Sequence, residues 1–284
     1  MSPASSIAVV SLVRDALGPS VDRVRACGRD GGTDDPEAVH LARVATRRLR
    51  ADLKALRGPL GEGWDGDIRP ELAWIGALLG AVRDADVLAA ELDAELELAP
   101  DAMQPGGAYL RRTVRLERQW AHDALRASID GERFAALLAQ LTTLLADPPA
   151  APVTVLEPSV VMAPAWRTLK REVRQLGPEP SDRQLHDVRI ATKRARYAAE
   201  MFVASGGGGA RRFVRRAGRV QDALGRHHDA VVALAWLLDR TPPDGDAGLS
   251  IGWLAARFAN AREAERHAWR ARWEALARPE ARFW

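Results

Sequence analysis

Two segments of this chain carry the same chemistry at the same spacing. VHLARVATRRLR (39–50) sets His40 ahead of Arg43, Arg47, Arg48 and Arg50, and LHDVRIATKRAR (185–196) sets His186 ahead of Arg189, Lys193, Arg194 and Arg196. On a helix at about 100° per residue, His40, Arg43, Arg47, Arg50 and Lys54 fall within roughly 80° of one another. His186, Arg189, Lys193 and Arg196 repeat that stripe. Arginine offers a planar fork of donors that matches phosphate oxygens, and lysine a mobile point charge. Histidine among cations resists protonation until an anion arrives. From His40 to Lys54 such a helix rises about 21 Å, enough to follow a linear anion rather than a single phosphate group. Like charges on one face repel, and an ordinary solvated face would intersperse glutamate. A doubled stripe nearly free of acids therefore reads as an anion-binding surface. Glu200, standing where the first copy has Lys54, makes the second copy less basic at its far end.

The elements that must position these residues are themselves repeated. At an offset of 146, His40/His186, Arg43/Arg189, Ala45/Ala191, Thr46/Thr192, Arg48/Arg194 and Arg50/Arg196 are identical pairs. LGAVRDADVLAAEL (79–92) matches LGRHHDAVVALAWL (224–237) at an offset of 145. Two matched blocks at nearly one offset imply an internal duplication, with a first half over 1–150 and a second over 151–284. The proline-rich ADPPAAPVTVLEPSV (146–160) is the expected linker. Hydrophobic periodicity predicts helices at roughly 5–28, 36–57, 66–98, 106–127, 131–146, 160–176, 182–204, 208–240 and 250–277. Asp35 with Pro36 should cap the first basic helix, and Ser181 with Gln184 should form a capping box on the second. Leu41, Ala45, Leu49, Leu53 and Leu56 make the expected core face of the first, and Ala191, Ala195 and Phe202 that of the second.

Composition supports a helical, anion-directed reading. The 284 residues have only 6% aromatic content, and among 41 basic residues only Lys54, Lys170 and Lys193 are lysine. The net charge of +3 is small, so an anion site must come from local clustering. Cys27 is the single cysteine, which precludes an intrachain disulfide and suits a cytoplasmic setting. The longest apolar run, Leu72 to Val82, is too short to cross a bilayer, and residues 1–13 show no signal-peptide pattern. No membrane association is expected.

The paired motifs, VHLARVATRRLR with LGAVRDADVL and LHDVRIATKRAR with LGRHHDAVVA, resemble the CHAD domain, a histidine-containing α-helical family, over nearly the whole chain. The resemblance implies an all-α fold of two pseudo-symmetric antiparallel helical bundles whose basic helices face a shared groove or pore. It also implies binding of inorganic polyphosphate and, in some members, location at polyphosphate granules. Carried over by motif, the ligand residues are His40, Arg43, Arg47, Arg50, His186, Arg189, Lys193 and Arg196, with Lys54 extending the first stripe. Arg212, Arg215, Arg219 and Arg226 share one face of the following helix and are added as candidates. Arg112, Arg115, Arg257 and Arg262 rank below them.

Asp84 and Asp229, acids within the repeated second block, are expected to pair with Arg48 and Arg194 and so hold the basic helices in place. His227 and His228 cannot share a helix face, and His122 and His267 stand alone, so no metal site is expected. GGGG (206–209) lacks a Walker lysine and reads as a loop, and ELEL (95–98) lies in a helical pattern. No cofactor or catalytic constellation emerges. The alternative partner is nucleic acid, which shares the phosphate chemistry but would favour aromatics interleaved with the cations. A polyphosphatase or kinase would need carboxylates or a metal that the motifs do not supply.

Overall fold

The computed structural model describes residues 7–29, 31–60, 64–148, 155–203 and 207–284. The helices are α1 (Val9–Cys27), α2 (Pro36–Leu60), α3 (Ile68–Glu97), α4 (Gln104–Ile129), α5 (Glu132–Ala146), α6 (Pro158–Arg174), α7 (Asp182–Glu200), α8 (Gly207–Leu238), α9 (Gly245–Glu265) and α10 (Arg270–Ala277). Among the described residues the only strand pairing is a two-residue antiparallel bridge, β1 (Ile7–Ala8) with β2 (Val155–Leu156), which sets Ile7 opposite Leu156. The fold is all-α, as the composition and periodicity led us to expect. Residues 149–154 of the expected linker lie outside the described residues.

Neighbouring helices pack in the same order twice: α1 on α2, α2 on α3 and α3 on α4, then α6 on α7, α7 on α8 and α8 on α9. Between the two series α2 meets α7, α3 meets α8 and α4 meets α9. That is the pairing two related halves would give about a pseudo-twofold axis. The cores are shared. One runs from Leu49 and Leu53 of α2 through Val188 and Ala195 of α7 to Phe213 of α8. The other joins Leu92 and Leu96 of α3 and Leu110 of α4 to Leu237 of α8 and to Leu254 and Phe258 of α9.

Local chemistry fixes where the two basic helices begin. The Asp35 carboxylate accepts from the Glu37 backbone N–H at 2.9 Å. Ser181 accepts from the Gln184 backbone N–H at 3.3 Å while the Gln184 side chain accepts from the Ser181 N–H at 2.9 Å, closing the capping box. Pro36 and Asp182 are therefore the first helical residues, and His40 and His186 each come four residues later. Inside the helices Thr46 and Thr192 are both fully buried, each donating its hydroxyl to the carbonyl four residues back at 2.8 Å.

Three local expectations are corrected. Leu41 is solvent-exposed, because the buried face of α2 runs through Val39, Ala42, Ala45, Leu49, Leu53 and Leu56 and leaves position 41 about 100° off it. Gly207, Gly208 and Gly209 open α8 instead of forming a loop. A Cβ on Gly209 would come within 2.7 Å of the Phe283 Cβ, so the absent side chain admits the C-terminal segment. The expected helix at 250–277 starts earlier, where Asp244 accepts from the Ala247 N–H at 2.8 Å, and divides into α9 and α10. Arg266 lies at the break, donating to the Pro180 carbonyl at 2.6 Å, while Trp269 donates back to the Arg266 carbonyl at 3.1 Å.

Two substitutions check this packing by thermal or urea unfolding. Ser181→Ala is expected to destabilise by about 1 kcal/mol through the lost cap. Phe213→Ala, which removes a fully buried ring touching Trp284 edge-on at 5.2 Å, should destabilise by about 3–5 kcal/mol.

Candidate anion-binding cleft

Where α2 packs on α7, their cationic stripes border one cleft of about 930 Å³, closed on a third side by α6. From α2 come Arg47, Arg50 and Lys54, from α7 His186, Arg189, Lys193 and Arg194, and from the start of α3 Arg69. A single carboxylate, Glu157, stands among the lining residues. The outer wall is the α6 stripe Val160, Val161, Pro164, Ala165 and Thr168. Arg69 is drawn toward the buried Asp65 at 3.6 Å, whereas Arg47, Arg50, Lys54, Arg189, Lys193 and Arg194 form no ion pair within 4 Å among the described residues. The Nε groups of Arg43 and Arg189 and the Nδ1 of His40 are buried without a hydrogen-bond partner. Buried donors left this way are costly unless something fills the space beside them.

The upper end of both stripes meets acids of α3 and α8. Arg43 pairs with Asp84 at 2.5 Å, and the equivalent Arg189 is held by the field of Asp229. The close approach follows from Gly76, whose Cβ would sit 3.1 Å from the Thr46 methyl. Next to the acids, Arg83 faces His40 and His228 packs on His186 with ring centroids 4.8 Å apart. Arg83 and His228 are themselves 145 positions apart, within the second repeated block. His228 is a site residue the sequence set aside. Its signal was there: it flanks Asp229 as Arg83 flanks Asp84.

The expected Asp84–Arg48 and Asp229–Arg194 pairings are corrected. Position 48 is a further 100° round α2 from Arg47 and points to the far end of α7, where Arg48 approaches Glu200 at 3.3 Å and the fully buried Asp52 at 3.6 Å. On α7 the residue in place of Asp52 is Ala198, so Arg194 has no acid to anchor it and lines the cleft beside Lys54. Burial raises the Asp52 carboxyl well above the usual range despite Arg48.

Other proposed ligands lie elsewhere. Arg196 is held by Glu200 at 2.8 Å and by Gln221 at 3.2 Å and does not line the cleft. Arg212, Arg215, Arg219 and Arg226 occupy the solvent side of α8, because Phe213, Ala217, Val220 and Leu224 supply its buried face. Arg226 is engaged by Glu265 at 2.9 and 3.0 Å. Of the lower candidates, Arg257 pairs with Glu95, Arg262 pairs with Asp182 at 3.0 Å, and Arg112 is exposed. Arg115 lines a second, smaller cleft together with Arg83, Arg111 and Arg118. The remaining histidines are not isolated: His122 approaches Asp86 at 3.8 Å, His227 is buried against Asp182 at 3.3 Å, and His267 meets Glu179 at 3.4 Å. His267, Glu179 and Glu263 bring ligand atoms within 4.8 Å of one another at an open surface.

Comparison with known proteins agrees with this architecture. The family model of the CHAD domain matches residues 15–238. The chain belongs to the CHAD domain family. The fold is similar to that of the CHAD domain from the plant Ricinus communis, with a TM-score of 0.75 and 24% identity over 97% of this chain and 95% of that one. It is also similar to PptA from Streptomyces chartreusis, with a TM-score of 0.77 and 25% identity over 92% of this chain and 99% of that one. Among curated sequences, the uncharacterized protein Rv2226 of Mycobacterium tuberculosis is 29% identical over 247 residues, which is 83% of this chain and 47% of the relative. The corresponding MT2285 of another strain matches equally. The chain thus spans about half the length of the curated relatives it matches. No described helix is long and apolar enough to cross a membrane.

The electrostatics of this CHAD cleft are dominated by burial and mutual repulsion. Burial first, then Arg189, Arg47 and Arg43, pushes Lys193 down to about 7. Burial followed by the same arginine cluster lowers His186, and His228 falls to about 4. Arg43 and Arg189 are also depressed by burial and by Arg47, with Asp84 and Asp229 opposing. Lys54 is lowered first by Arg194. On the acid side, burial and then Asp229 raise Glu91 to about 7.

Lysine in an unfolded chain titrates near about 10.4, so the fold favours the neutral Lys193 amine. The penalty on the charged form is absent above about 10.4, grows as pH falls toward 7 and is complete below that. Lys193→Met is therefore expected to raise the melting temperature of the ligand-free protein by several degrees below pH 7, the gain shrinking steadily at higher pH. An equal melting temperature of the two proteins across the range would contradict the repulsion.

Proposed function

We propose that this CHAD chain is a non-catalytic module that holds linear inorganic polyphosphate in the cleft between α2 and α7. The observation that carries the reading is the set Arg47, Arg50, Lys54, Arg189, Lys193 and Arg194, converging on one cleft with none of them in an ion pair within 4 Å among the described residues. In a ligand-free protein such a set is electrostatically unfavourable, and a chain of phosphates adds an attraction to each cation that opposes the burial and repulsion terms. Arginines clamp phosphate oxygens through paired N–H groups, and Lys193 gains its proton as the anion enters. Beyond them Arg43 is paired with Asp84, and burial with neighbouring arginines disfavours protonation of His40 and His186, so the favourable path for a polyanion ends near the acids Asp84 and Asp229. This reading has the chain act in the cytoplasm, at polyphosphate granules. Tyr197, the one tyrosine, phenylalanine or tryptophan among the lining residues, is itself buried, so the cleft offers little for stacking bases and nucleic acid is the weaker partner.

Titration with polyphosphates of defined length tests the proposal. With six cations engaged, log affinity is expected to fall against log salt with a slope of about −4 to −5. Changing Arg47, Arg189, Lys193 and Arg194 together to Ala should weaken binding by about a hundredfold or more. Single-stranded RNA at equal phosphate concentration should compete poorly. A bound polyanion raises the Lys193 value above 7, so affinity is full below about pH 7 and declines as pH rises through the bound-state value. Undiminished binding by the four-fold variant, or phosphate release in the presence of Mg²⁺ or Mn²⁺, would overturn the reading.

A further inference from the structure

Bare polyphosphate leaves one wall of the cleft without a purpose. The residues that α6 turns inward, Val160, Val161, Pro164, Ala165 and Thr168, follow one helical stripe and carry no charge. The same helix also carries Arg167, Lys170, Arg171 and Arg174, none of which is among the cleft-lining residues. A helix serving only a polyanion would present those cations to the cleft. Val160 is 53% exposed, a large aliphatic side chain left open to water at the rim. Across from it Ala51, Ala55, Ile190 and Ala198 continue the apolar surface between the cations of α2 and α7. The cleft is thus amphipathic, with a cationic floor flanked by an aliphatic wall. Its volume of about 930 Å³ is that of a site for a small molecule.

We infer that the cleft also accepts phosphate esters bearing an aliphatic chain, the phosphates lying on Arg47, Lys193 and Arg194 and the chain on the Val160–Ala165 stripe. The cation half of the inference rests on the phosphate-binding reading above, and the aliphatic half rests on α6 alone. An aliphatic group is favoured over a nucleobase because the wall is built of Val, Pro, Ala, Ile and Leu with Thr168 as its one hydroxyl, and offers no exposed aromatic ring on which a base could stack.

Calorimetric titration of the full chain with inorganic tripolyphosphate, n-butyl triphosphate and adenosine 5′-triphosphate separates the cases, since all three carry closely similar charge. Burying a butyl group against the wall is expected to tighten binding by about tenfold or more over tripolyphosphate, with the nucleotide showing no such gain. Val160→Asn with Pro164→Ser, both at exposed positions, should abolish the butyl advantage and leave tripolyphosphate binding within about twofold. Equal affinity for butyl and inorganic triphosphate would overturn the inference. So would a gain shown by the nucleotide alone, or equal losses for all ligands in the double variant. If the butyl ester binds and tripolyphosphate does not, the polyphosphate reading falls and the aliphatic site stands.

Discussion

Packing α2 against α7 forces like charges together, and the rest of the molecule is arranged around that constraint. Neither helix could leave the contact without opening a core that runs from Leu49 and Leu53 through Val188 to Phe213. The hydrophobic term is large and does not respond to anions, whereas the repulsion among Arg43, Arg47, Arg189 and Lys193 is smaller and does. The fold thereby holds a cationic surface in place before any ligand arrives. Pre-organisation of this kind lets multivalent contacts form without first ordering the side chains that make them.

The two helix series pack in the same order but divide the labour. Lys54 stands opposite Glu200 in the alignment, Asp52 opposite Ala198 and Gly76 opposite Gln221. Each exchange moves acid or bulk to one side. Glu200 neutralises Arg48 and Arg196 near the end of α7, and Gln221 adds to the hold on Arg196. Ala198 frees Arg194, and Gly76 lets α3 close on α2. The result is one cleft that draws its strongest cations unequally from two similar helices.

Much of the fold could be read in the sequence because helical period, caps and repeats are local. The stripes on α2 and α7, the Ser181 box and the fully helical class depend on spacing that a single strand of text preserves. What escaped depends on the rotation of one helix against another. Asp84 was a plausible partner for Arg48 by position, yet the angle between α2 and α3 gives it to Arg43. The cations Arg212, Arg215 and Arg219 have the same periodicity as a ligand stripe, and only the buried side of α8 reveals that they face solvent. His228 looked unremarkable next to His227 until α8 turned one ring to His186 and the other to Asp182. The α6 wall was missed for the opposite reason: an apolar stripe is read as core unless the space in front of it is known to be open.

The shortest element has a disproportionate reach. The bridge between β1 and β2 sets Ile7 opposite Leu156, and Leu156 is also part of the cleft lining. Successive side chains on a strand point to opposite sides, so sliding this pairing by a single residue would turn Leu156 away from the cleft. The calibre of the cleft at that edge is thus indexed by two backbone pairings, made between a stretch preceding α1 and the connection that joins the halves.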